Sequence, residues 1–214
     1  NDYLHNCKFT TKKLGFKKSY YGPLKYKNPI TNNYNLDKNI VITGPNAAGK
    51  TTILKSTIIN IILSQQIGCG FYKSANINPF DHIHCYLNIP DTSNRDSLFQ
   101  AEARRCKDII DIIDSDKNKK HFCIFDELYS GTNPYEAVAS AFSYLSYLCK
   151  NKNIKFMLTT HYVELCKKLM KYENKKIVNK HMKVNKNNNG DFNFTYLLNN
   201  NISEIKGGIK VLKD

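Results

Sequence analysis

The segment from Gly44 to Thr51 has residue types and spacing that suit the binding of a phosphate chain. It reads GPNAAGKT, which fits the phosphate-loop (P-loop) pattern G-x-x-x-x-G-K-[ST]. In such a loop, backbone N–H groups and the positive end of the following helix surround phosphate oxygens. Lys50 can reach the β- and γ-phosphates, and the Thr51 hydroxyl can ligate Mg²⁺. The loop therefore predicts a nucleotide site without indicating which class of enzyme contains it.

An acidic pair follows an apolar segment later in the chain. Asp126 and Glu127 come directly after Phe122 to Phe125, in the sequence HFCIFDEL. Two acids at the end of a buried strand are typical of a Walker B motif, in which the first holds Mg²⁺ and the second polarises the attacking water. Acidic residues also begin many helices, so a helix N-cap is the alternative interpretation.

A histidine ends a third motif. The apolar segment FMLTT leads directly into His161. At the end of a strand beside the acidic pair, an imidazole can sense the γ-phosphate or orient the attacking water. The alternative is a structural histidine, capped at a strand–helix junction.

Strands and helices alternate along the chain and would bring these motifs to one edge of a sheet. A buried strand is predicted at residues 39–43, and a helix from Thr51 to about Gln66. Further helices are predicted at 97–113, at 135–148 and in VELCKKLM; strands are predicted in HFCIFDEL, IKFMLTTH and two tail segments, with one or two more within 68–89. The alternation predicts an α/β fold with a mostly parallel central sheet flanked by helices. The order of the motifs, P-loop, then Asp-Glu, then Thr-His, resembles that of ABC/SMC-like ATPases, so the predicted fold class is a P-loop NTPase of that type.

The predicted domain organisation is simple. Residues 1–38 are expected to form strands and loops that lead into the core, and residues 39–214 an ATPase domain, in a single domain overall. The chain starts with Asn1 rather than Met. We therefore expect it to be a segment of a longer chain.

The charge balance is basic, with 32 Lys and Arg against 18 Asp and Glu and a formal net charge of +14. A basic surface favours polyanionic partners such as DNA. The only arginines are Arg95, Arg104 and Arg105, whereas Lys and Asn are abundant. That bias is also what an A/T-rich genome would encode, so both explanations of the charge stay open.

Cysteine and histidine spacing gives no metal site or disulfide framework. The 7 cysteines include no C-x-x-C pair. His82 and His84 share one face of a possible strand, but no further ligand follows at metal spacing. No apolar run has the length of a membrane span, and no signal-peptide pattern is present. The chain is expected to be intracellular, in a reducing compartment such as the cytoplasm, the nucleus or a viral replication site.

The ordered set of motifs resembles the ATPase domain of the MutS family of DNA mismatch-repair proteins. The family's loop T-G-P-N-x-x-G-K-[ST] appears as TGPNAAGKT, and its following Q-I-G turn as QQIGCGF. Its S-x-F-x-x-E pattern falls on Ser97, Phe99 and Glu102. Its D-E-x-x-x-G-T and T-H-[YF]-x-E-L patterns appear as DELYSGT and THYVEL, and its tail as IVNKHM, FTYLL and GGIKV. The resemblance covers residues 28–212.

The resemblance implies a role for each matching residue. Thr51 and Asp126 would bind Mg²⁺, Glu127 would be the general base, and His161 the switch histidine. Ser97 would act in trans on the γ-phosphate bound by a partner subunit, and Ile30 would pack against adenine. The phosphates of ATP would lie on Gly44, Pro45, Asn46, Ala47, Ala48, Gly49, Lys50, Thr51 and Thr52. The family also implies homodimers or heterodimers with composite ATPase sites that couple ATP to binding of mismatched or branched DNA.

Two departures from the family pattern indicate a divergent MutS-related branch. Ala48 stands where mismatch-repair members usually have Gly, and residues 133–136 read NPYE where they have small Ser- and Thr-rich residues. The alternatives are therefore a MutS-related ATPase that acts in recombination or another DNA transaction, a P-loop kinase, and a weakly catalytic module that binds ATP structurally. A kinase would need a mobile lid with several arginines, and this chain has no such cluster.

Overall fold

The computed structural model describes residues 3–87, 97–187 and 192–203. Arg95 and the tail segment GGIKV of the family pattern lie outside these residues. The chain forms two compact units. The first unit comprises Asn1–Asp37, Ile42–Pro79 and Asn179–Asp214, and the second comprises Lys38–Val41 and Phe80–Val178.

The helices and strands occur in an alternating order after the first sheet. The helices are α1 (Lys50–Ile67), α2 (Leu98–Ser115), α3 (Pro134–Leu148) and α4 (Val163–Glu173). The strands are β1 (His5–Phe9), β2 (Gly15–Ser19), β3 (Asn32–Asn35), β4 (Asn39–Thr43), β5 (Cys69–Gly70), β6 (Ser74–Ile77), β7 (His82–Tyr86), β8 (His121–Asp126), β9 (Ile154–Thr159), β10 (Ile177–Lys186) and β11 (Phe192–Asn200).

The first unit contains a small mixed sheet packed on α1. Its strand order is β3-β2-β6-β1-β5, with β1 parallel to β6 and the other pairs antiparallel. Helix α1 buries polar residues as well as apolar ones, among them Thr57 and Asn60. The Thr57 hydroxyl lies 2.8 Å from the Tyr34 hydroxyl, and Asn60 Oδ1 accepts a hydrogen bond from Phe71 N at 2.7 Å. These paired polar groups hold α1 in one rotational position.

The second unit is built on the parallel strands β7, β8 and β9. Residues His121 to Phe125 of β8 are all buried, as expected for a strand covered on both faces. The first residues of β4 also belong here, where Asn39 Oδ1 accepts a hydrogen bond from Phe156 N at 2.9 Å. Because the strands are parallel, their carboxyl ends, Asp126 and Thr159 among them, lie at one edge.

The α/β class and the predicted helices are confirmed, whereas the sheets are mixed. The β10–β11 pair is antiparallel because the connection from Lys186 to Phe192 is too short for a crossover. The segment 68–89, predicted to hold one or two strands, contains β5, β6 and β7. None of the helices in the described residues combines the length and apolarity that a membrane crossing requires.

Three histidine rings stack in the second unit, at the start of β7 and β8. We call His82, His84 and His121 the histidine stack. The ring of His121 lies 4.7 Å from that of His82 and 5.4 Å from that of His84, with interplanar angles of 10° and 15°. Within the described residues, no three or more His, Cys, Asp or Glu side chains form a cluster that could hold a metal ion. Instead, His84 Nε2 and His121 Nδ1 are 3.1 Å apart and share a hydrogen bond.

The histidine stack should make the second unit sensitive to acid. Burial, together with smaller contributions from the neighbouring His121, His82 and Arg105, lowers the pKa of His84 from 6.5 to about 4. At pH values between about 4 and 6.5, His84 binds a proton in the unfolded chain but not in the folded chain. The free energy of unfolding therefore falls as the pH drops from 6.5 towards about 4. We expect a loss of about 2 kcal/mol.

Hydrogen exchange of the β8 amides, corrected for intrinsic rates, measures this loss. The substitution His84→Gln should make protection nearly independent of pH over this interval. The same substitution at the exposed His5 is the matched control and should leave the pH dependence as in the parent. An equal pH dependence in the parent and the His84→Gln variant would contradict the assignment.

Candidate functional site

The loop between β4 and α1 takes a tight path that its sequence permits. Gly49 has φ 94°, a left-handed conformation in which a side chain is strained. A Cβ atom there would also lie 3.1 Å from Cδ1 of Tyr196. Ala47 has φ 62°. Ala48 has no such positive φ and its methyl group is buried, so the departure at this position is accommodated without backbone strain.

Lys50 is directed into the loop that precedes it. Its side chain is 6% exposed, and its ammonium donates hydrogen bonds to the carbonyl oxygens of Gly44 at 2.9 Å and Pro45 at 3.2 Å. Asn46 Oδ1 lies 3.5 Å away. The loop thus surrounds a lysine charge at the start of α1, where a polyanion would be attracted.

The N-terminus of α1 has the features of an anion site. Within the described residues, no side chain caps this helix, and its first turn contains no acidic residue. The backbone N–H groups at such an end carry partial positive charge, which an anionic ligand can satisfy. Thr51 and Thr52 lie in this first turn. The first unit therefore brings together the predicted residues from Gly44 to Thr52.

A cavity of about 390 Å³ adjoins the loop within the first unit. Gly49 and Thr52 line it, together with the predicted Ile30. Its other walls include Tyr196 and Met182, which the sequence interpretation missed. Both residues lie in the tail of the family pattern, in FTYLL and IVNKHM, but nothing in these motifs indicates a contact with the phosphate loop. The cavity is largely aromatic and aliphatic, as binding pockets for flat organic groups are.

Asn32 fixes one wall of this cavity. Its Nδ2 donates to the carbonyl oxygen of Tyr196 at 3.1 Å, and its Oδ1 accepts from Leu198 N at 2.7 Å. Both contacts involve β11, and Tyr196 has φ 55°. Asn32 therefore holds the backbone of β11 in the conformation that puts the Tyr196 ring beside Gly49.

The second unit brings the acidic pair together with the predicted histidine. Asp126 Oδ1 accepts a hydrogen bond from the Thr159 hydroxyl at 2.5 Å. Glu127 Oε2 lies 3.8 Å from His161 Nδ1, and Glu127 N donates to the Thr159 carbonyl at 3.1 Å. This parallel pairing of β8 and β9 aligns a carboxylate with an imidazole that is 51% exposed. The pair can accept and relay a proton at a solvent-accessible edge.

The helix-cap alternative for the acidic pair is wrong. Helix α3 begins at Pro134, and its N-cap is Asn133, whose Oδ1 accepts from the N–H groups of Tyr135 and Glu136. The segment NPYE (133–136), which departs from the family pattern, therefore forms the start of α3. His161 is half-exposed beside Glu127, between the end of β9 at Thr159 and the start of α4 at Val163, a position that fits both the switch role and the alternative of a histidine at a strand–helix junction.

Ser97, the first residue of the helix predicted at 97–113, is the N-cap of α2. Its Oγ accepts from Gln100 N at 3.3 Å, and Gln100 Oε1 accepts from Ser97 N at 3.0 Å, which makes a capping box. The hydroxyl keeps its proton for donation, so it can contact an anion from the cap position. Ser97 belongs to the second unit, with Asp126, Glu127 and His161, while the loop belongs to the first.

Several known proteins are similar to this chain. The family model of MutS domain V matches residues 40–214. The chain is 34% identical over 172 residues to Endonuclease MutS2 of Streptococcus uberis, a match that covers 76% of the chain and 22% of that protein. It is 35% identical over 130 residues to DNA mismatch repair protein MutS of Parabacteroides distasonis, covering 59% and 14%. It is 31% identical over 160 residues to DNA mismatch repair protein MSH3 of Candida albicans, covering 72% and 15%. These matches span between 14% and 22% of the length of the relatives.

Proposed function

Because this chain belongs to the MutS family, we propose that it is the ATP-binding and ATP-hydrolysing domain of a MutS-like protein. The observation that carries the proposal is the cavity of about 390 Å³ bordered by Gly49 and Thr52 of the loop. A nucleotide whose phosphates lie on the loop would have its base beside these residues. Residues 39–214 form the ATPase domain in this proposal, with the P-loop fold of ABC/SMC-like ATPases.

Each candidate residue has one role in the proposed reaction. The backbone of residues 44–52 and the Lys50 ammonium bind the phosphates, and the Ile30 side chain packs against adenine. Glu127 accepts a proton from the attacking water, and His161, 3.8 Å from Glu127, orients that carboxylate. Thr51 and Asp126 offer a hydroxyl and a carboxylate, the oxygen donors that Mg²⁺ prefers, and would hold that ion. When bound, Mg²⁺ would neutralise charge on the phosphates.

The proposed partners are DNA and a second ATPase subunit. The relatives named above include DNA mismatch repair proteins and an endonuclease, and this chain would share a DNA function with them. In the proposed dimer, whether of two copies or of two related chains, Ser97 contacts the γ-phosphate on the partner. Its place at the N-terminus of α2 supports that role.

A MutS-related ATPase without mismatch reading is the second candidate. The chain is also similar to Endonuclease MutS2, at 34% identity over 76% of the chain, and this similarity supports the second candidate. ATP hydrolysis by the complete protein, measured with perfectly paired, mismatched and branched duplexes, tests the proposal. Stimulation by a mismatch supports the repair branch, and stimulation by branched DNA alone supports the second. No hydrolysis under any condition would refute the ATPase proposal.

Ile30→Ala should weaken ATP binding without weakening phosphate binding. The substitution removes aliphatic surface from the cavity, so the Kd for ATP is expected to rise about 5-fold, whereas that for inorganic tripolyphosphate stays unchanged. Competition against a fluorescent nucleotide measures both constants. Ile62→Ala is the matched control, because Ile62 is exposed to a similar degree on α1 and does not line the cavity. A parallel loss of ATP and tripolyphosphate affinity would place the base elsewhere.

A further inference from the structure

Glu102 of α2 is a buried acid whose side chain bonds to a loop. It is 2% exposed. Its Oε1 accepts hydrogen bonds from the N–H group of Ser130 at 3.0 Å and from the Ser130 hydroxyl at 3.1 Å, and its Oε2 accepts from Gly131 N at 3.1 Å. Burying a carboxylate is costly unless its oxygens are paired, and here both oxygens accept from donors. The role of Glu102 therefore depends on the loop that supplies these donors.

That loop follows the acidic pair directly and has an unusual backbone. Glu127 has φ 54° and Tyr129 has φ 58°, values that non-glycine residues rarely adopt. A strained segment persists only when contacts on both sides determine it. On one side, Glu127 N donates to the carbonyl oxygen of Thr159 at 3.1 Å. On the other side, the Glu102 carboxylate holds the N–H groups that follow Tyr129.

The first turn of α2 packs on the same loop. A Cβ atom on Gly131 would lie 2.7 Å from Cγ of Leu98, so the helix and the loop are already in close contact. The rings of Phe99 and Tyr129 are 5.6 Å apart. The residue before Leu98 is the N-cap Ser97. Glu102 thus ties the loop of Glu127 to the helix turn that carries Ser97, all within the second unit.

The surroundings of Glu102 favour a carboxylate over an amide. Burial raises the pKa of Tyr86 and of Tyr129, and the charge of Glu102 raises both further. Both phenols therefore keep their protons. A glutamine in place of Glu102 would direct an NH₂ group at one of the donors on Ser130 or Gly131, because an amide has only one acceptor oxygen.

We propose that Glu102 is a positioning residue for ATP hydrolysis. It fixes the position of the Glu127 backbone relative to the first turn of α2, which follows Ser97. This inference rests on the proposed ATPase function, and adds a mechanical link between the residue that serves the chain's own nucleotide, Glu127, and the residue offered to the partner's nucleotide, Ser97. Glu102 acts through the loop that follows Glu127, so it controls the rate of ATP hydrolysis. The affinity for ATP depends instead on the phosphate loop that precedes Lys50.

Glu102→Gln in the complete protein tests the link. The single-turnover rate of ATP hydrolysis is expected to fall about 30-fold, because small displacements of a catalytic group cost one to two orders of magnitude. The Kd for ATP should stay within about 2-fold of the parent value, since the change leaves the phosphate loop intact. Glu164→Gln is the matched control: Glu164 lies on the exposed surface of α4, 3.5 Å from Lys168, and its substitution should change neither quantity.

Hydrogen exchange at residues 130 and 131 provides a readout that does not depend on ATP turnover. Loss of the carboxylate should speed exchange of these two amides while the β8 amides stay protected. Glu102→Asp keeps the charge but shortens the side chain by one methylene, so its rate of ATP hydrolysis should be intermediate. If the Gln variant does not fold, the Asp variant tests the role of Glu102 alone. A hydrolysis rate equal to the parent in whichever of these variants folds would overturn the inference. An inactive parent would instead refute the ATPase proposal, and the exchange data would still test the contact.

Discussion

Replacement of Glu127 by Gln is expected to slow ATP hydrolysis by about 10³-fold while ATP binding is retained. The amide keeps the size of the side chain but cannot accept a proton from water. Glu127 is the acid that faces His161, with Oε2 3.8 Å from Nδ1, at the carboxyl ends of β8 and β9. The variant should therefore accumulate an ATP-bound dimer. Rapid-quench hydrolysis and light scattering with ATP measure the two effects.

Two outcomes would remove Glu127 from the role of general base. One is a hydrolysis rate close to that of the parent. The other is an equal loss of rate in the exposed control variant Glu164→Gln. If the rate falls but no dimer forms with ATP, the composite site of two subunits is refuted while the ATPase role of Glu127 stands.

Lys50→Met should abolish ATP binding at ordinary concentrations. The ammonium is 6% exposed and lies within hydrogen-bonding distance of two loop carbonyl oxygens, so it is held where the phosphates of a nucleotide would arrive. Hydrogen bonds to charged groups contribute about 1.5 to 3 kcal/mol each, so loss of the ammonium should raise the Kd for ATP by about 100-fold or more. Equilibrium binding of a fluorescent nucleotide, displaced by ATP, measures the change.

Lys55→Met provides the matched control for charge. Lys55 lies on the same helix, one turn further on, and is not among the residues that contact the loop acceptors. Its substitution should change the Kd for ATP by no more than about 2-fold, because general attraction by a solvated lysine is screened by salt. Equal losses in both variants would mean that overall basic charge, rather than Lys50, attracts the nucleotide.

Local sequence patterns were sufficient to predict the elements that carry the site. The apolar segments before Gly44, Asp126 and His161 are strands, and the helices start within a residue of the predicted positions at Lys50, Leu98 and Pro134. These features depend on neighbouring residues, through periodicity, caps and turn residues. The acidic pair and His161 were predicted to be adjacent because parallel strands end at one edge, and β8 and β9 meet this expectation.

Contacts between residues far apart in the chain could not be predicted in the same way. Tyr196 lies beside Gly49 on β11, to which Asn32 is hydrogen-bonded, and neither Tyr196 nor Asn32 has a local pattern that indicates this. Glu102 was recognised as part of a motif, but its partners Ser130 and Gly131 lie 28 and 29 residues further on. The stacking of His121 with His82 likewise depends on strand register.

The state of the nucleotide bound to the complete protein tests the central claim most directly. Radiolabelled ATP is mixed with the protein and Mg²⁺, unbound nucleotide is removed, and the bound nucleotide is identified. The parent protein should retain ADP, the Glu127→Gln variant should retain ATP, and the Lys50→Met variant should retain neither. Unchanged ATP on the parent, or ADP formed equally fast on the Glu127→Gln variant, would contradict the claim that this chain is an ATPase in which Glu127 is the general base.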